Sequence, residues 1–231
     1  MSAGDPFDVP CALTAARYYG VYPAVVDDNQ DPNKQGRVLV RLPWSPDAGG
    51  GAYKAWARLA TTMAGNARGT WLVPDPGDEV LVGFHDGDPR WPYVIGALWN
   101  GKDDPPQAMR AGNDIKSIVS RSGIRITLDD TDGAVTLTLD TPGGQQISLA
   151  DGGAQITVQD SNGNSCELAP SGITITAASK LTISAATAEI DIGQVTVNSG
   201  TWTYSGVVQC DTLISSTVVG ASYTPGVGNI W

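Results

Sequence analysis

The 231-residue chain has one histidine, His85, and only three cysteines and two phenylalanines. Around the lone imidazole stand only Asp86 and Asp88. That set holds neither a nucleophile nor a third ligand, so it reads as a polar turn. Cys11, Cys166 and Cys210 are widely spaced and form no CxxC pair, which argues against a zinc site and a disulfide framework. They read as reduced thiols in a chain folded in a cytoplasm. No stretch of about 18 apolar residues occurs, so no helical membrane span is expected. The first residues, Met-Ser-Ala-Gly-Asp-Pro, lack the basic region and apolar core of a signal peptide. Basic residues are scarce where the chain is longest in repeats: residues 117–231 hold three, Arg121, Arg125 and Lys180, against ten acidic ones. With a net charge of −10 and no basic cluster, direct nucleic-acid binding is not expected.

What the chain does contain divides it in two. Residues 1–116 carry 12 of the 15 prolines and 5 of the 7 tryptophans, as a compact domain with elaborate loops would. Residues 117–231 carry 16 threonines against 4 before them, in a repetitive pattern. Apolar and polar residues alternate from onsets at Ile124, Val135, Ile147, Ile156, Ile173, Leu181, Ile190 and Val195. Successive strand side chains point to opposite faces, so each run puts Ile, Val or Leu on one side and Thr, Ser or Asp on the other. Asp132-Gly133, Gly143-Gly144, Asp151-Gly152 and Asn162-Gly163 supply turns between them. Strand and turn repeated in this way predict a β-solenoid. A single such ribbon would leave its apolar face open, whereas three chains winding round one axis would bury all three faces. A homotrimeric β-helical prism is therefore expected over 117–231.

Upstream, residues 18–99 read as five strands without a helix. They lie over Tyr19–Val26, Gly36–Leu42, Trp56–Ala60, Glu79–Phe84 and Pro92–Leu98, the pattern of an OB-fold barrel. Trp44 and Trp56 are expected to seal the barrel or its contact with neighbours. Asp27-Asp28-Asn29-Gln30-Asp31 lacks the glycine and terminal glutamate of a calcium loop and reads as a solvated loop. Asp129-Asp130-Thr131-Asp132-Gly133 reads as a hairpin or solenoid turn. The expected division is an extension over 1–17, a barrel over 18–99, a linker over 100–116 stiffened by Pro105-Pro106, and the prism over 117–231. The fold class is all-β throughout, and no catalytic, cofactor or metal residue is assigned.

One ordered set of residues carries a resemblance. Gly36-Arg37-Val38, Arg41-Leu42-Pro43-Trp44, Trp56-Ala57-Arg58, Ala64-Gly65 and Gly69 are followed by Pro76-Gly77-Asp78-Glu79-Val80-Leu81-Val82. Phe84, Gly87-Asp88-Pro89, Pro92 and Ile95-Gly96 complete it. Across the whole expected barrel this resembles the OB domain of contractile-tail spike proteins, the family of VgrG proteins and phage baseplate assembly protein V. The order of barrel, then β-helix, also matches. The resemblance implies a homotrimeric spike anchored to the baseplate hub or tail tube at its barrel end. It implies a PAAR-type tip protein at the other end and a target membrane pierced mechanically. The setting it implies is a phage tail, a tailocin or an extracellular injection particle made in a bacterial cytoplasm. With only a short extension before Tyr18, the short phage-type spike is the nearer likeness; the linker has no room for a lysozyme domain, and no His-x-His iron site is present. The apolar tail with Tyr223, Pro225, Ile230 and Trp231 is expected to form or support the platform for the tip protein. The rival expectation is a β-helical tailspike enzyme or adhesin acting on surface polysaccharide, which would need acidic and aromatic groupings that the repeats do not display.

Overall fold

The computed structural model describes residues 17–221. The first part is a closed barrel of five long strands: β1 (Val21–Asp28), β2 (Val38–Pro46), β3 (Ala52–Leu59), β6 (Glu79–Phe84) and β7 (Pro92–Leu98). The small hairpin of β4 (Ala64–Gly65) and β5 (Arg68–Gly69) lies between β3 and β6. Strand order round the barrel is β1-β2-β3-β7-β6, with β3 and β7 parallel and every other pair antiparallel. This is the OB arrangement expected from the five strand signals. Alternation explains the core: Ala24 and Val26, then Val38, Val40 and Leu42, then Val80 and Val82 point inward and are essentially inaccessible. Ala57 and Val94 complete the layer.

At one end, Tyr18, Tyr22, Trp44 and Phe84 cluster with ring centroids 4.8 to 6.5 Å apart. The Trp44 indole N–H donates to the Pro23 carbonyl at 2.7 Å, so its one polar atom is satisfied. Trp44 thus packs against the barrel core as expected. Trp56 does not: it lies opposite Leu39 with the Arg37 guanidinium 5.7 Å from its ring centroid.

The loop after β1 corrects the sequence reading. The Asp31 side chain is only 3% exposed and is the organiser of its loop. It accepts hydrogen bonds from the backbone N–H of Asn33, Gln35 and Arg37 and pairs with the Arg37 guanidinium at 2.7 Å. The Arg37 hydrogen bond, aided by those N–H groups, holds the carboxyl well below the usual carboxylate range. A carboxylate with a lowered folded pKa stabilises the fold above its unfolded pKa of about 3.9, and that contribution fades as pH falls below it. Asp31→Asn is therefore expected to lower the thermal midpoint of the barrel at pH 7, and by less at pH 3. Equal losses at both pH values, read by Trp fluorescence, would contradict this account.

The second part is a seven-stranded antiparallel meander: β8 (Ile115–Val119), β9 (Arg125–Asp129), β10 (Thr136–Asp140), β11 (Gln146–Ala150), β12 (Gln155–Gln159), β13 (Ser165–Ala169) and β14 (Gly172–Thr176). Each strand pairs only with its neighbours in sequence. Alternate hairpins use one turn three times. In Ser120–Gly123, Thr141–Gly144 and Asp160–Gly163, the glycine N–H donates to the first residue's carbonyl, and the glycine adopts φ of +82° to +87°. The first residue's side chain then accepts the N–H of Ile124, Gln145 or Asn164. Such a turn, ending in a left-handed glycine, sets hairpin register. At Asp160 the Asn164 and Asn162 groups drive the carboxyl down to about 2. Two strands, β8 and β13, fall outside the expected runs, and β8 begins within the segment read as linker.

The remaining described residues, 180–221, belong to a separate unit. They form neither a strand ladder nor a backbone–backbone hydrogen bond among the described residues. The strands expected from Leu181, Ile190 and Val195 thus find no partner among the described residues.

Candidate functional site: an apolar assembly face

The pairing register of the meander decides which side chains share a face. In the first column, Ile118, Ile126, Leu139, Ile147, Val158, Cys166 and Ile175 stand directly opposite one another from strand to strand. A second column holds Lys116, Leu128, Leu137, Leu149, Ile156, Leu168 and Ile173. Two unbroken apolar columns therefore cross all seven strands, with Lys116 and Cys166 the only departures. The opposite face carries Ser117, Thr127, Thr138, Ser148, Thr157, Glu167 and Thr174 down its middle.

Much of this apolar face is exposed among the described residues. Leu139, Leu149, Ile156 and Leu168 are 38–40% exposed, rising to 71% at Ile173. A contiguous apolar surface of this kind marks an interface, and a sheet with one dry face needs a second layer. Its register is stiffly specified, because a one-residue slip in any strand would turn that strand's apolar residues outward.

The other side chains singled out from the sequence lie apart among the described residues, where no metal-ligating cluster forms. His85 and Asp86 sit in a short 3-10 turn (His85–Gly87), 3.6 Å apart and both exposed. Asp88 is held by its neighbour Arg90, whose guanidinium brings the carboxyl down to about 2. Asp129 accepts from the Thr131 backbone N–H and hydroxyl, as a turn residue does. Asp27 lies in β1 and pairs with Lys54 at 2.6 Å and Arg41 at 3.5 Å. Tyr223, Pro225, Ile230 and Trp231, expected at the tip platform, lie outside the described residues.

Comparison with known proteins bears on both parts. Residues 22–99 match the type VI secretion system/phage-baseplate injector OB domain, and residues 136–203 match the phage baseplate V C-terminal trimerisation domain. Together the two matches cover more than half of the chain. The chain belongs to the phage baseplate V and VgrG spike family. Among its relatives, the type VI secretion system spike protein VgrG1b of Pseudomonas aeruginosa is 29% identical over 126 residues, 51% of this chain and 17% of its own length. VgrG4b of the same species is 34% identical over 87 residues, 37% of this chain and 11% of its own. A Vibrio cholerae relative named actin cross-linking toxin VgrG1 is 31% identical over 78 residues, 33% of this chain and 7% of its own. The chain thus spans less than a fifth of the length of these relatives. For this spike-family chain the trimerisation match supports a homotrimer.

Proposed function

We propose that this chain is the central spike of a contractile tail or injection apparatus. Three copies would stand under the tail tube, with the barrels held by the baseplate hub and the C-terminal part directed at the target envelope. The role is mechanical and not catalytic: the spike transmits sheath force to a PAAR-type tip protein and through it pierces the membrane. The observation that carries the reading is the pairing, in one chain, of an injector OB barrel with a trimerisation sheet whose apolar face is open along seven strands. The division into extension (1–17), barrel (18–99), linker (100–116) and needle (117–231) belongs to this proposal, with β8 starting at Ile115. So does location in a phage tail, tailocin or extracellular injection particle.

Particles assembled by a producer cell lacking this chain are expected to lose the ability to breach their target. Undiminished activity would overturn the proposal. The tip end has its own test. Removal of 221–231, with Tyr223, Pro225, Ile230 and Trp231, is expected to abolish capture of the cognate tip protein in a pull-down while the trimer persists; unchanged capture would remove these residues from the platform.

A further inference from the structure

Charge is spread unevenly over the barrel. From Lys34 to Trp71 the chain holds six basic residues, Lys34, Arg37, Arg41, Lys54, Arg58 and Arg68, against one acidic residue, Asp47. That leaves 8 of the 14 basic and 23 of the 24 acidic residues to the rest of the chain. Three of the six are answered: Asp31 pairs with Arg37, and Asp27 pairs with Lys54 and Arg41. Arg58 lies 5.8 Å from the Tyr93 ring centroid. Lys34 and Arg68 form no ion pair among the described residues.

These last two cations border one cleft of about 700 Å³, between the loop that holds Lys34 and Gly36 and the β4–β5 hairpin. Leu59, Met63 and Trp71 line it beside them, and no acidic residue among the described ones does. Both walls are held in place. The Trp71 ring lies against Gly36, where a Cβ would stand 2.9 Å from it, yet Trp71 is 75% exposed. Arg68 folds back over Gly65, its Nε 2.7 Å from where a Cβ would stand. A ring fixed beside two such cations is a preorganised anchor for a ligand that carries carboxylates and an apolar group.

One segment outside the described residues has that chemistry. Residues 1–16 hold two charged side chains, Asp5 and Asp8, with Phe7 beside them as the one aromatic ring. Residues 222–231 hold no charged side chain. Pro6 and Pro10 fix φ at two positions of the acidic segment, which lowers the entropy lost on docking. Asp8 and Asp5 stand nine and twelve residues before Arg17, where the described part begins. At about 3.3 Å per residue that is about 30 to 40 Å of chain, comparable with the width of about 30 Å for a domain of this size.

We propose that Asp5-Pro6-Phe7-Asp8 docks in this cleft of its own barrel. The two carboxylates meet Lys34 and Arg68, and the Phe7 ring packs on Trp71 and Met63. Tethering favours this occupant over a free one: a ligand on the same chain meets the cleft at a high effective concentration, so contacts of modest strength suffice. The contact lies within one chain and does not depend on the spike assembly.

Carbodiimide cross-linking of the full-length particle, followed by denaturation and peptide mapping, tests this. The reagent joins a carboxylate to an amine where the two already touch. Of the five lysines, Lys34 is expected to be joined to Asp5 or Asp8 at least about tenfold more than any other, a preference of about 1.4 kcal/mol. The joined peptide is expected in a band of single-chain mass, 24.0 kDa. Phe7→Ser is expected to lower its yield about tenfold, as loss of an anchoring aromatic does, while Phe7→Tyr keeps the ring and the yield. Even joining of all five lysines, or a yield unmoved by Phe7→Ser, would overturn the docking. No joined peptide would overturn it too and leave the cleft to an acidic segment of another protein. The same link in a band of twice 24.0 kDa would overturn it in favour of a neighbouring copy.

Discussion

Replacement of Leu149 by aspartate is expected to turn a particle of trimer mass into single chains of 24.0 kDa. Leu149 lies in the fourth of seven strands, with Leu137 on one side and Ile156 on the other. It is 40% exposed in the single chain, so the substitution empties no core of its own. In a trimer the same change places three carboxylates in one dry interior, each losing its hydration without a counter-charge. Desolvation at several kcal/mol per ion outweighs the net stability of most assemblies. Ser148→Asp is the matched control. It adds the same charge one residue away on the Ser/Thr face and is expected to leave the trimer intact. Light scattering on both variants decides the matter: a Leu149→Asp trimer, or a Ser148→Asp monomer, would mean that the apolar columns are not the assembly face.

The second large effect concerns the barrel. Leu42→Ala is expected to cost about 3 kcal/mol, the mid-range for removing a buried leucine side chain. Leu42 is 1% exposed and is among the largest side chains fully enclosed by the barrel. In a barrel of this size such a loss lowers the unfolding midpoint by roughly 10–20 °C. The assembly should survive, because the seven strands of the meander pair only among themselves. A destabilised barrel on a particle still at trimer mass is the expected result. A loss below about 1 kcal/mol would show that the cavity collapses freely; dissociation would show that the barrel itself holds the copies together.

Much of this architecture is legible in the sequence because period-two alternation survives wherever one face is dry. Val38-Leu39-Val40-Arg41-Leu42 and Val135-Thr136-Leu137-Thr138-Leu139 announce both their strand and the side that is buried. The strands that escape notice break the pattern. In β13 a serine, a glutamate and an alanine flank Cys166 and Leu168, and β8 places Lys116 in an apolar column. Asp31 is hidden for another reason. Its burial comes from loop backbone folding round the carboxylate and from Arg37 six residues on, which composition does not encode. At 180–221 the alternation is visible, but alternation says which side is apolar and not which strand lies alongside. Partners that belong to other copies leave no trace in the order of residues along one chain.

The sequence-neighbour pairing of β8 to β14 also sets an order of events during assembly. Each hairpin closes over a short loop, so its entropy of closure is small and local pairing is fast. Barrel and meander can thus form while a chain is still alone, at rates independent of concentration. If the proposed needle over 117–231 holds, ordering of residues 180–221 would wait for an encounter between copies that scales steeply with concentration. Docked sheets would then hold the three loose segments level, so that winding propagates from residue 180 outward. A cell short of this chain would accumulate folded single copies with unwound ends, and proteases would meet those ends first.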